Sequence, residues 1–405
     1  MSGSLGVSLS GSLAGFGLGF AAELARLGYA RCSAQAQLRL MGHVSKWLAS
    51  QGLGAGDLSA EVVKRFVVAR RSRCRSMRSA RALLPLVGFL RRAGVAPMPV
   101  PATPAGPVEE IIARFVEHLR AGRGLADATV VSYVSQAAVF LRWRVERYGA
   151  DWASLTAMQV HEFVGVRARG QRPRSVQVGV NAVRALLRWM STQGLVSAGL
   201  AESLGSVGGP AMAGLPKALT AAQVSGLFAA LPAGGPVRLR NEAILMLLWR
   251  LGLRAGEVAG LLLEDVDWRS GVILVRGKGN RHEQVPLPAD VGASLAAYLK
   301  EGRPAGGKHR QVFLAVDAPH RPVGSAAVSS MVARAAAGAG IPGPVHAHRL
   351  RHTAACQVLA GGGGLVEAGQ LLRHASVAAT AVYAKADVTA LTVLARPWPG
   401  AGGAR

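Results

Sequence analysis

The last third of the chain gathers side chains able to act together on a phosphate. Arg254 stands in the word Leu-Gly-Leu-Arg-Ala-Gly-Glu, with Glu257 three residues on. Lys278 lies between two glycines, and His348 and Arg351 are spaced i, i+3, which puts both on one face of a helix. His374 and Tyr383 follow, nine positions apart. Two guanidiniums suit the forked recognition of a tetrahedral phosphate. A phenol can attack that phosphorus, and an amine or an imidazole can hand a proton to the leaving oxygen. There is no cluster of carboxylates to hold Mg²⁺, so the cationic side chains would have to take the metal's place. Taken singly each residue is ordinary: a lone Arg or Lys is commonly a surface charge, a lone Tyr a half-buried core residue. The ordered conjunction carries the reading. His348 and His352 at i, i+4 have the spacing of a metal pair, but neither a His-Glu-x-x-His glutamate nor a third ligand accompanies them. No metal or other cofactor is expected, and His352 is read, with His346, as structural.

Helices and one hairpin must position these groups. Thr220 can cap a helix running to about Leu231, and residues 238–252 form a strongly apolar helix that ends just before Arg254. Residues 271–276 and 283–287 read as strands joined by a glycine-rich turn around Lys278. Val312–Ala315 reads as a further short strand. Helices are expected at about 325–337, 348–360, 365–373 and 377–385, the last carrying Tyr383.

Two breaks precede this region. Pro97, Pro99, Pro101, Pro104 and Pro107 make residues 96–107 a semi-rigid linker, and a Gly/Pro-rich stretch makes residues 201–215 another. The chain divides into a flexible N-terminus (1–16), a helical module (17–95), a second helical module (108–200), a mixed domain (216–396) and a tail (397–405). The two modules read as copies. Leu58, Val63 and Phe66 match Leu155, Val160 and Phe163 at identical spacings. Leu83, Leu86, Val87, Phe89, Leu90 and Gly94 match Val183, Leu186, Leu187, Trp189, Met190 and Gly194. An ordered series of matches with small drifts favours duplication over chance likeness of two bundles.

The balance of charge points to a polyanion. The chain has 405 residues, half of them apolar, with 47 Lys and Arg against 22 Asp and Glu and a net charge of +25. A biased genome explains many arginines but not so few acids, and nucleic acid is the commonest acidic partner. In the first module Lys64, Arg65, Arg70, Arg71, Arg73, Arg75, Arg78 and Arg81 follow one another without an acid between them. The second module holds Arg167, Arg169, Arg172 and Arg174 at the equivalent place. Such runs would repel themselves unless phosphates lay nearby. Residues 1–22 lack charge but are broken by glycine and serine, so neither a membrane span nor a signal peptide is expected. Three scattered cysteines fit a reducing, cytoplasmic compartment.

The spacing Arg-x-x-Glu, Lys, His-x-x-Arg, His and Tyr resembles the tyrosine recombinase, or phage integrase, family. The local words agree: Gly-Leu-Arg-Ala-Gly-Glu-Val at 252–258, Arg-Gly-Lys-Gly-Asn-Arg at 276–281, His-Arg-Leu-Arg-His-Thr at 348–353 and Thr-Ala-Val-Tyr-Ala-Lys at 380–385. The resemblance covers residues 216–390, and residues 108–200 resemble the family's helical core-binding domain. It implies a mainly α fold with a small β-sheet in the catalytic domain, behind tandem SAM-like helical modules. It further implies that Tyr383 forms a 3′-phosphotyrosine bond, that Arg254 and Arg351 hold the non-bridging oxygens, and that Lys278 protonates the leaving 5′-oxygen. His348 would assist proton transfer at Tyr383, His374 would bond the phosphate, and Glu257 would orient Arg254. Double-stranded DNA is the implied partner, met by a homo-multimer on paired sites, alone or with other recombinases, without metal or ATP; no Walker A pattern is present. One departure stands at the family's Leu-Gly-His, which reads Leu372-Arg373-His374 here. Two other functions share these residues or their setting. A type IB topoisomerase uses the same cleavage chemistry, and a DNA-binding accessory protein of a mobile element could keep the modules without catalysis.

Overall fold

A computed structural model describes residues 9–71, 80–99, 106–171, 173–205, 218–277, 281–305 and 308–373, with Thr380 and Tyr383. Nothing is described of the Arg71 side chain. Residues 1–99 with 214–405 form one compact unit and residues 100–213 a second.

In the first unit α1 (Gly17–Arg26), α2 (Arg31–Ser50), α3 (Ala60–Arg71) and α4 (Leu84–Arg92) enclose an apolar core that includes Phe20, Leu24, Met41, Leu48, Phe66 and Leu90. Ser59 caps α3, its hydroxyl accepting from the Val62 N–H at 3.3 Å. Residues 9–16 were expected to belong to a flexible N-terminus. They are packed instead: the Leu13 side chain is fully buried, and Ser45 Oγ accepts from the Leu13 N–H while donating to the Ser10 carbonyl. Two polar bonds at a buried apolar anchor outweigh the freedom of a glycine-rich stretch.

The second unit has four α-helices, as many as residues 9–99: α5 (Pro107–Glu117), α6 (Asp127–Tyr148), α7 (Ala157–Ala168) and α8 (Pro173–Thr192). Thr156 caps α7 through the Gln159 N–H at 3.4 Å. Arg144 is fully buried, and its guanidinium donates to the carbonyls of Gly149 and Asp151 and to Ser154 Oγ, closing the connection to α7. Ala201 and Leu204, expected at the start of a linker, are buried in this core. Arg184 of α8 holds the carbonyls of Leu204 and Gly205.

The mixed domain is built on α9 (Ala221–Ala229), α10 (Gly235–Arg250), α11 (Ala255–Gly260), α12 (Ala289–Ala297), α13 (Ser325–Gly338), α14 (Ala347–Ala360) and α15 (Leu365–Leu372). Thr220 caps α9 as the sequence predicts, in a capping box with Gln223. Three strands form an antiparallel sheet in the order β1 (Val266–Asp267), β2 (Val272–Arg276), β3 (His282–Pro286). The first is two residues long, too short to leave a period in the sequence. Residues 312–315, expected as a strand, make only isolated bridges, Leu314 with Pro322 and, just before them, Gln311 with Leu262. Their role is packing: Val312, Phe313 and Leu314 are fully buried, with the Phe313 ring stacked on Tyr298 at 5.3 Å. The core includes Ile244, Leu245, Leu247 and Leu248 of α10, Ile273 of β2 and Leu350 of α14. That core fixes the ends of α10 and α14, where the candidate site lies.

Candidate active site

Helix α10 stops at Arg250, and Gly252 turns the chain at φ 58° into α11. An L side chain is strained in that region. A Cβ at this position would also come within 2.9 Å of Cδ2 of the fully buried Leu372, whose side-chain end would have to shift. Arg254 then takes the N-cap position of α11 with extended backbone. Glu257 reaches back to it: Oε2 accepts the Arg254 backbone N–H at 2.9 Å and Oε1 accepts Arg254 Nη1 at 2.6 Å. The Glu257 side chain is almost wholly buried, whereas that of Arg254 is 42% exposed. Burial alone would raise the Glu257 carboxyl. The Arg254 N–H and guanidinium, with the Arg373 charge, outweigh it and hold the carboxyl below the usual range.

Helix α14 carries the next three groups. Arg351 is 1% exposed, and its guanidinium donates to the carbonyls of Gly252 and Leu372. It thereby joins the turn before α11 to the end of α15. Burial lowers Arg351 to about 10, with the charges of Arg254 and Arg373 adding to the effect, so it stays cationic at neutral pH. His348 is exposed one turn earlier, and its ring meets that of His352 edge-on at 4.3 Å. Tyr383 Oη lies 2.7 Å from His352 Nδ1. The Tyr383 ring is 1% exposed, in an apolar cluster with Ala355, Leu359, Ala368 and Leu372. That burial pushes its phenol up to about 12, against the lowering charge of Arg351.

The departure in the sequence has a definite place. Arg373 ends α15 at φ 51°, a left-handed cap usually given to glycine. Its Nη2 donates to Glu257 Oε2 at 3.0 Å, and its Nη1 to the carbonyls of Leu371 and Leu251. Segments 116 residues apart thus meet on one carboxylate.

Arg254, Glu257, Arg351 and Tyr383 come together around α14, and His348 lies on the same helix. Lys278 and His374 lie outside the described residues. The hairpin is closed on both sides of Lys278, by the pairing of Arg276 with His282 and by the Gly277 N–H donating to the Arg281 carbonyl. Two neighbours of these groups stand outside the set expected from the sequence. His352, read as structural, touches Tyr383, and its i, i+4 relation to His348 signals that both share a face. Arg373 was visible as a departure, but nothing local tied it to Glu257. Among the described residues no group of three His, Cys, Asp or Glu side chains could hold a metal ion.

The expected DNA-contacting arginines are spread over both modules. On α3, Arg65 is exposed with its guanidinium over the Trp47 ring at 6.0 Å, and Arg70 is half-buried in a cleft with His43, Lys46, Trp47 and Phe66. Arg71 ends that helix, and Arg73, Arg75 and Arg172 lie outside the described residues. Arg167 donates to Gln136 Oε1 at 3.0 Å and so braces α7 on α6, while Arg169 and Arg174 are exposed.

Replacing Gly252 with alanine is expected to cost about 1–3 kcal/mol, from the left-handed backbone and the clash with Leu372 together. Chemical denaturation checks it, and a variant as stable as the wild type would mean that the turn relaxes freely.

The Phage integrase family model matches residues 217–389, and its N-terminal SAM-like domain matches residues 112–194. A putative integrase/recombinase, y4rA of Sinorhizobium fredii, is 35% identical over 94% of this chain and 93% of its own length. The tyrosine recombinase XerD of Mycobacterium tuberculosis is 33% identical, with 95% of its length answering to 71% of this chain. Among solved structures, a lambda integrase tetramer bound to a Holliday junction matches with a TM-score of 0.53 at 17% identity, covering 78% of this chain and 87% of that one. No described helix is long and apolar enough to cross a membrane. A catalytic-domain match, a core-binding match and near full-length kinship with a recombinase all fall on one chain, which belongs to the phage integrase family and is a tyrosine-type site-specific recombinase.

Proposed function

We propose that this recombinase cleaves double-stranded DNA through Tyr383 and rejoins it through a 3′-phosphotyrosine intermediate. The carrying observation is that the Tyr383 phenol meets an imidazole 2.7 Å away, on the helix that also carries the buried Arg351 guanidinium. The Tyr383 oxygen bonds to the scissile phosphorus as the bond to the 5′-oxygen breaks. Arg254 and Arg351 stabilise the charge that grows on the non-bridging oxygens, and His374 adds a hydrogen bond. The phenol proton leaves through His352, with His348 beside it, and Lys278 protonates the departing oxygen. A phenol held near 12 is a poor nucleophile until a base takes its proton, which gives the imidazole its part. The Tyr383 ring is enclosed, so attack on a phosphorus requires it to turn out of its cluster. The phosphotyrosine keeps the energy of the phosphodiester, so rejoining needs neither ATP nor metal.

We also propose that residues 17–95 are a second copy of the core-binding module at 108–200, and that both grip duplex phosphates. Matched positions make matched contacts. Phe20 meets Phe89 as Phe115 meets Trp189, each pair at 5.5 Å, and Trp47 meets Phe66 at 5.5 Å as Trp143 meets Phe163 at 5.3 Å. Ser59 and Thr156 cap corresponding helices, and Gly28, Gly52 and Gly94 share positive φ with Gly124, Gly149 and Gly194. Neutralising Arg65 and Arg70 to glutamine should lessen the slope of log affinity against log salt by about 1–2. An unchanged slope would remove the first module from the phosphate grip.

The reaction is that of a cytoplasmic mobile-element integrase working as a homo-multimer on paired sites, a reading supported by the tetramer of the lambda integrase likeness. The test is to trap covalent adducts on duplexes selected for binding to this chain, without metal, and to map the modified residue. Adduct on Tyr383 with recombinant product is the expected result. Adduct with supercoil relaxation but no recombinant would favour a topoisomerase, and bound DNA without adduct would leave an accessory protein.

A further inference from the structure

The carboxylate of Glu257 is shared in an uneven way. Oε1 takes one nitrogen of Arg254, while Oε2 is taken by the Arg254 backbone and by Arg373. An arginine beside a lone carboxylate tends to close on both oxygens with two parallel bonds. Here the second oxygen is occupied by a guanidinium that reaches it from the far end of α15. Among the described residues, the remaining guanidinium N–H groups of Arg254 have no acceptor, and this side chain is the exposed one of the two. Arg373 itself is turned into the fold: its side chain is 8% exposed, and its other terminal nitrogen donates to the carbonyls of Leu251 and Leu371.

We propose that Arg373 is a positioning residue: by filling the second oxygen of Glu257 it keeps Arg254 from closing on that carboxylate, and so leaves Arg254 donors aimed outward for the phosphate. The inference rests on the phosphate-holding role proposed for Arg254. Arg373 has a second effect of the same kind. Its bonds to Leu251 and Leu371 pin the segment leading to His374 and Tyr383 against the turn that precedes Arg254. Without Arg373, Glu257 would face Arg254 alone, and its excess negative charge would draw that guanidinium inward.

Arg373→Gly removes the guanidinium while suiting the left-handed cap, so the fold loses least by that exchange. The measurement is the single-turnover rate of covalent adduct on a binding-selected duplex, with DNA affinity and melting temperature taken alongside. Arg373→Gly should slow the adduct by about tenfold or more, as a misplaced positioning group does, with affinity within about twofold. Glu257→Gln should also slow it, and the double variant should be no slower than the slower single one, because both act through the same contact. A wild-type rate in Arg373→Gly overturns the proposal. So does a double variant whose loss is the product of the single losses, or a rate that falls only in step with melting. Should the glycine variant melt early, Arg373→Lys, which cannot span the carboxylate and both carbonyls, is carried through the same cycle. Tyr383→Phe sets the background. If the wild type gives no adduct above it, the proposed chemistry itself fails and this inference with it.

Discussion

Tyr383→Phe is expected to abolish the covalent protein–DNA adduct, a loss of about 10⁴–10⁶-fold by comparison with other deleted nucleophiles. The ring is held by Ala355, Leu359, Ala368 and Leu372, and phenylalanine satisfies that cluster as well as tyrosine does. What is lost is the oxygen and its 2.7 Å hydrogen bond to His352, worth about 0.5–1.5 kcal/mol of stability. DNA affinity should stay at the wild-type level. An alkaline titration gives a second, independent signature. The folded phenol sits near 12 and an unfolded one near 10, so stability is intact below pH 10 and falls as the pH climbs from 10 to 12. Two pH units correspond to about 2.7 kcal/mol at most. Tyr298 is also raised by burial, but it is present in both proteins, so the difference between their denaturation curves isolates Tyr383. Wild-type adduct in the phenylalanine variant would assign the nucleophile elsewhere, and superimposable alkaline curves would mean that Tyr383 is not buried in solution.

Arg351→Ala should fail in two ways at once. Chemically, in the proposed mechanism it removes a donor to the transition-state charge, a loss of about 10²–10³ in rate for deletions of that kind. Structurally, it strips the carbonyls of Gly252 and Leu372 of their buried donor. Each orphaned acceptor costs about 1–3 kcal/mol, and a cavity is added. Arg351→Lys keeps a charge but cannot fork to two carbonyls, so it should recover little of either. Thermal melting and adduct formation under conditions where the variants stay folded separate the two losses. A variant that melts like the wild type would show that Arg351 does not clamp the turn to α15. The bond pattern explains why a guanidinium tolerates this depth at all: its charge is desolvated, its value falls only to about 10, and Glu257 lies close enough to offset it.

Much of this was legible in the chain. The helical periods, the Thr220 cap and the hairpin around Lys278 are local properties, set by side chains within a few residues of one another. The order of Arg254, Lys278, His348, Arg351 and Tyr383 named a chemistry because each type does something at a phosphate that the others do not. Spacing also put His348 and Arg351 on one face of α14, yet it left their depth open: the first is exposed and the second is buried. Depth depends on what packs over a helix, here the Gly252 turn and the end of α15, and both come from elsewhere in the chain.

Local pattern erred where contacts are long-range. Leu13 is pinned by Ser45, 32 residues away, which no reading of a glycine-rich beginning could supply. Residues 312–315 have a strand's composition and mostly buried side chains, but their backbone pairs only in isolated bridges and single bonds, with residues 321–323 and Leu261. His352 and Arg373 are the cases that bear on function. Types and spacing determined which groups are proposed for the reaction. Only the tertiary structure decided that His352 meets the Tyr383 phenol and that Arg373 shares the Glu257 carboxylate with Arg254. Such pairings are settled by packing of α11 against α14 and α15, segments that stand far apart in the chain and come together only when the shared core closes.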